Sequence, residues 1–352
     1  MTPPPSRHRL FIGTYTTGAS RGIYAAELDA ATGVLAVPAL AAVSSHPSFV
    51  ALSPDGRRLF AIRDSEAMAA AFAVQGAVLE ALPAPASAQA VAGCHVAVDR
   101  TGRTLLVCNY HRGLVASLPI GPDGTLGEPR IIRHSGHGPH PVRQKEPHVH
   151  SSAISPDNRF ALVCDLGLDR IYSYRLDAAQ SRLAPAEPPF TAAAPASGPR
   201  HSAFAADGRR FYVSNEIDNT VAAYGFDAAS GALSLLQAVS TLPAGFIGES
   251  AAAEVAVGPD GRFLYVSNRG HDSIAVFAIA PATGVLSPVE FTPCGGRGPR
   301  HFALSPDGAW LVCANQNSSS LSSFRVDGAS GRLTPAGEPV AVPDPVCVRF
   351  YD

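Results

Sequence analysis

The chain contains no apolar run long enough to cross a membrane, and its opening residues, MTPPPSRHRLFIGTYTTG, lack a hydrophobic stretch of signal-peptide length. A cytoplasmic protein without membrane contact is the expectation. Six cysteines, at 94, 108, 164, 294, 313 and 347, form no CxxC pair and no zinc spacing. They read as small buried thiols in a reducing compartment. Charge is scarce and nearly balanced: a net charge of -2 is the wrong sign for a nucleic-acid partner. There is no nucleophile elbow around a serine, and no Gly-rich phosphate loop precedes a helix. Serine-hydrolase and P-loop chemistry are thereby excluded.

What the chain does have is a repeat. Residues 198–227, GPRHSAFAADGRRFYVSNEIDNTVAAYGFD, read as strands over 202–205, 210–214 and 220–226 joined by tight turns. The pattern recurs as SFVALSPDGR from 48, CHVAV from 94, HSSAISPD from 150, EVAVGPDG from 254 and RHFALSPDG from 300. Each leads into a second apolar strand, such as LLVCN at 105–109 and LYVSNR at 264–269. A turn followed by leucine closes each unit, clearest at Gly33, Gly124, Gly231, Gly284 and Gly331 and weaker at 76–79 and 181–183.

Seven units of about fifty residues, each with four short antiparallel strands, predict an all-β, seven-bladed β-propeller. One domain spans 1–352, with residues 1–8 expected to be disordered. The chain starts inside a unit and finishes on an inner strand, VCVRF at 346–350. Pairing of the N- and C-terminal strands should therefore close the ring. Residues 81–92 and 191–197 read as outer strands and connections, and the expected assembly is a monomer or weak homo-oligomer.

In such a blade the entry of the inner strand and the exit of the second strand lie at one end. The entries bring His95, His148, His150, Arg200, His201, Glu254, Arg300 and His301 to one rim. The exits add Asn109, Tyr110, Asp165, Asn215, Glu216, Asn268, Arg269, Asn315 and Gln316. The recurring asparagines are expected to hold turns. Arg200, Arg269 and Arg300 are different, because a cation in a concave mouth needs an anionic partner. Glu216 can pair with one of them, so the surplus calls for a ligand phosphate or carboxylate. The stretch 134–149, HSGHGPHPVRQKEPHV, should lie over this rim, and the Gly-rich stretch 242–252 reads as a flap. His134, His137, His140, His148 and His150 have no established ligand spacing, so no metal and no cofactor is expected. Alternation puts His148 and His150 on one strand face if the strand begins by 148.

The ordered set FIGTYT, PHVHSSAISPDN, GPRHSAF, SNE, VSNR and GPRHFALSPDG resembles the seven-bladed propeller lactonases. That family includes bacterial 6-phosphogluconolactonases and fungal carboxy-cis,cis-muconate cyclases. The resemblance implies His150, Arg200, Glu216 and Arg269 as catalytic residues and Arg300 as a further anion contact. His95, His148, His201 and His301 complete the substrate-binding wall. The implied reaction is hydrolysis of an anionic sugar lactone, 6-phosphogluconolactone to 6-phosphogluconate. Glu216 would be the general base, with His150 orienting water or protonating the leaving alkoxide. Arg200 and Arg269 would hold the oxyanion. The same groups would serve a cyclase that adds a carboxylate to an alkene. A propeller acting only as a binding platform would need an exposed apolar patch, and no loop here is strongly apolar.

Overall fold

The computed structural model describes residues 7–63, 68–83 and 93–351. Strands of two to eleven residues, rich in small and β-branched side chains and separated by turn residues, assemble into seven antiparallel sheets. The inner strands are β4 (Val50–Leu52), β8 (His95–Val98), β12 (Val149–Ile154), β16 (Pro199–Phe204), β20 (Ala251–Val257), β24 (Pro299–Leu304) and β29 (Pro345–Tyr351). Each inner strand packs against the next around one axis, and apolar clusters fill the spaces between neighbouring sheets. The seven-bladed propeller is thus present, with four strands in each blade and a short extra strand in one.

Ring closure follows the expected route. Strand β1 (Arg7–Thr14) pairs antiparallel with β29, setting Leu10 opposite Phe350 and Ile12 opposite Val348. Arg7 and His8 belong to this strand, so the disordered start predicted for 1–8 does not extend to them. His8, in the closing blade, is buried at the seam with its neighbour, its Nε2 3.3 Å from Asp307 Oδ2. Residues 1–6 lie outside the described residues, as do 84–92 of the segment read as an outer strand and connection.

Blades are latched to their neighbours through the closing turns. The Tyr212 hydroxyl donates to Gly284 O (3.0 Å), and Tyr265 to Gly331 O (3.1 Å). At the seam next to the closing blade the latch is the chain's one tryptophan. Trp310 is buried, donates from Nε1 to Ala30 O at 3.2 Å, and fills the space where a Gly33 side chain would stand. Trp310→Ala should cost about 3–5 kcal/mol, as for other large core aromatics, measured as a lowered denaturant midpoint at unchanged slope.

Candidate active site

Four of the inner strands share one irregularity, and it builds the site. In β12 the pairing steps from Val149 to Ser151, passing over His150. In β16 it steps from Pro199 to His201, passing over Arg200, and in β24 from Pro299 to His301, passing over Arg300. In β20 the step runs from Ala252 to Val255 across Ala253 and Glu254. These are β-bulges, which interrupt the alternation of side chains and re-aim the extra residue. As a result Arg200 and His201, consecutive in sequence, are both buried at the axis. The repeated GPRH prepares this geometry. Gly198 and Gly298 sit at φ of +68° and +67°, and the following proline starts each strand, where no ladder N–H is missed.

Second strands β17 (Arg210–Asn215) and β21 (Phe263–Arg269) deliver the other charges. Just past β17, Glu216 is anchored by its own N–H to Gly198 O at 2.8 Å. Its Oε2 accepts from Arg200 Nε at 2.8 Å and lies 2.8 Å from Arg269 Nη2, while Oε1 meets Arg143 Nη2. Glu216 therefore pairs with three guanidiniums, where the sequence reading gives it one. Burial alone would raise its pKa, but Arg269 and Arg200 override it and hold the carboxyl well below the usual range. A carboxylate with both oxygens so engaged is a weak proton acceptor, which argues against the general-base role expected for it.

Arg143 comes from the stretch 134–148, which does lie over the rim. Buried Gln144 fastens that stretch, donating to Leu166 O at 2.8 Å and to Asp169 Oδ1 at 2.7 Å. Asp169 in turn accepts from Gly198 N at 2.8 Å, tying the loop to the turn that launches Arg200. Sequence reasoning missed Arg143 because it belongs to no repeat. Its one signal is position, as an arginine in the longest polar insertion over the mouth.

His150, Arg200, His201 and Arg300 line a narrow recess at the mouth, with Tyr15 and Phe49. Arg300 stacks 5.5 Å from the Tyr15 ring, and no carboxylate among the described residues pairs with it. One layer deeper, His95, His201 and His301 surround Phe49 at ring separations of 4.2, 5.7 and 5.4 Å. Burial, reinforced by nearby arginines, pushes His95, His150 and His201 well below their usual pKa; for His301 burial dominates. All four rings are therefore neutral at pH 7. On the far side of this layer a chamber of about 620 Å³ opens to the opposite face, walled mainly by small and apolar inner-strand residues.

His148 departs from its expected place. Strand β12 begins one residue later, so His148 lies outside it, stacked 4.1 Å from the Tyr110 ring with Nδ1 3.0 Å from Tyr110 O. Of the two candidates, His150 is the one that reaches the recess. His134 bonds through Nδ1 to Asp165 Oδ2 at 2.7 Å and through Nε2 to the Tyr174 hydroxyl at 2.9 Å. The strand-end asparagines hold turns and neighbours, as Asn215 to Thr220 Oγ1 and Asn268 to Thr241 O. Among the described residues, no three His, Cys, Asp or Glu side chains gather as a metal-ligand set.

A family model described as lactonase, 7-bladed β-propeller, matches residues 9–350. The chain is 37% identical over 344 residues to a 6-phosphogluconolactonase of Bacillus subtilis, covering 97% of each. It is 35% identical to a 6-phosphogluconolactonase of Pectobacterium carotovorum, over 57% of this chain and 59% of that one. Among solved structures, a periplasmic gluconolactonase of Pseudomonas aeruginosa superposes with a TM-score of 0.92 at 35% identity, covering 99% of both chains.

Proposed function

Starting from the fact that the chain belongs to the seven-bladed β-propeller lactonase family, we propose that it hydrolyses an anionic sugar lactone, 6-phosphogluconolactone to 6-phosphogluconate. The observation that carries this reading is the charge at the mouth. Among the described residues Arg143, Arg200 and Arg269 pair with a single carboxylate, Glu216, Arg300 pairs with none, and the neighbouring imidazoles are neutral. Even with Glu254 counted one layer deeper, the four cations outnumber the carboxylates and leave net positive charge for a ligand to meet. Arginines arranged in this way suit a carbonyl oxygen gaining charge and a phosphate held alongside it. In this reading Glu216 is the spacer that keeps Arg143, Arg200 and Arg269 in register. Arg200, rigid and at the recess, faces the oxyanion. Arg300, free of any carboxylate, takes the phosphate.

The test is loss of lactone generated in place from glucose 6-phosphate, compared with unphosphorylated gluconolactone, the substrate class named for the Pseudomonas relative. Acceleration of the first well above the second supports the reading, and no acceleration of either overturns it. Arg300→Ala should raise KM for the phospholactone about 10–100-fold, the loss of one charge-assisted contact, and leave gluconolactone within about 3-fold. Equal effects on both substrates would remove Arg300 from the phosphate.

A further inference from the structure

Buried between the recess and the far chamber is a carboxylate that the proposed chemistry has not used. Glu254 Oε2 lies 2.6 Å from His201 Nδ1 and 3.3 Å from His301 Nε2. The tautomers can be assigned from the surrounding bonds. His301 Nδ1 accepts from the Val348 N–H at 3.3 Å, so its proton is on Nε2, which lies near Glu254 without forming a hydrogen bond to it. His201 presents Nδ1 to the same carboxylate oxygen and must donate there. Its other nitrogen, Nε2, then carries a bare lone pair; it is buried and has no partner among the described residues. The ring itself lines the recess beside Arg200 and Arg300.

Resting on the lactone-hydrolase reading, we infer that His201 is the base that takes the proton from the attacking water and that Glu254 is its positioning residue. A carboxylate fixing one imidazole nitrogen while the other faces the reaction is a known way to make histidine a competent base. His150 lacks this support: among the described residues its Nδ1 is buried without a partner, and no carboxylate lies within hydrogen-bond distance of its ring. Glu216 is engaged by three arginines. The charged and titratable groups around His201 are Arg200 on its own strand, His150 on β12, His95 on β8, Arg300 and His301 on β24, Arg349 on β29 and Glu254 on β20. Of these only Glu254 favours the imidazolium, so it alone offsets the surrounding arginines as the proton arrives.

The step balances. The water oxygen bonds to the carbonyl carbon, one water proton passes to His201 Nε2, and the carbonyl electron pair moves to the oxygen facing Arg200. When the ring C–O bond breaks, Nε2 returns the proton to the leaving alkoxide, and the product acid ionises to solvent.

The experiment compares Glu254→Gln, Glu254→Asp and His201→Gln with wild type, after melting has confirmed that each is folded. Glu254→Gln should lower kcat by about 10²–10³-fold at a KM within about 3-fold of wild type, with Glu254→Asp regaining most of the loss. Removing the carboxylate disfavours the imidazolium, so the acidic limb of the kcat–pH profile should move to lower pH. A merely structural role would not move that limb. In 15N-histidine-labelled protein, the low-field Nδ1–H resonance should vanish in both Glu254→Gln and His201→Gln. An active wild type whose Glu254→Gln variant keeps kcat within about 3-fold overturns the assignment, as does a His201 ring protonated on Nε2. Should Glu254→Gln fail to fold, His201→Gln carries the same kinetic and spectroscopic test. Inactivity of the wild type toward every lactone tried overturns the hydrolase reading first, and the role of His201 with it.

Discussion

Glu216→Gln is expected to destabilise the protein by about 3–5 kcal/mol and to slow lactone turnover by about 10³-fold. The size of the first effect comes from Arg200, which is 1% exposed and has Glu216 as its ion-pair partner. An amide in place of the carboxylate leaves that guanidinium buried beside Arg269 without a counter-charge. Breaking a buried pair by removing one partner costs far more than the pair contributes when intact. The second effect follows because the arginines that should meet the oxyanion lose the group that spaces them. Urea denaturation at pH 7.5, with kcat measured on the same preparations, separates two roles. A variant that keeps wild-type stability and loses only turnover would return Glu216 to the role of general base. Adding Arg200→Met to Glu216→Gln should recover stability but not activity, because an uncharged pair replaces a stranded buried charge.

The protein should also lose stability steeply just below pH 6.5, by up to about 5 kcal/mol per pH unit from one cluster. His95, His150, His201 and His301 are all held well below their usual pKa, burial being the first cause in each. In the unfolded chain these four rings bind protons near pH 6.5; in the folded chain they do not until the pH is much lower. The unfolded state then carries more protons, and stability must fall as pH falls through that window. Glu216 adds a later loss of the same sign. Its folded pKa is depressed, so its contribution is full above the ordinary carboxylate range, begins to fall as pH drops into that range, and is gone once pH has passed the lowered value. Denaturant midpoints between pH 7.5 and 5 measure the slope. A flat profile would mean that the axial histidines accept protons in the folded protein, and the packed neutral layer around Phe49 would be wrong.

The residues of the mouth differ in how plainly the sequence announces them. GPRH occurs twice, and its glycine, proline and arginine announce a turn, a strand start and a cation at the mouth. That Arg200 and His201 would both face the axis was not legible, because strand alternation alone would send them to opposite faces. The bulge that overrides alternation depends on the pairing with β17, a partner strand's register. Arg143 was hidden for a related reason: its approach to Glu216 depends on Gln144 and Asp169 folding a non-repetitive loop back over the rim.

The sequence by itself determined the architecture, because turn chemistry and period are local properties repeated seven times and each copy corroborates the others. It also determined that His150, Arg200, Glu216, Arg269 and Arg300 come to one end of the blades, since strand entry and exit follow from hairpin order. Only the tertiary structure decided how those residues share charge. Whether Glu216 serves one arginine or three, and whether Glu254 meets His201 or solvent, are matters of a few ångströms between blades far apart in the chain. At that scale a shift of one hydrogen bond changes a carboxylate from base to counter-ion, and residue spacing within a blade carries no record of it.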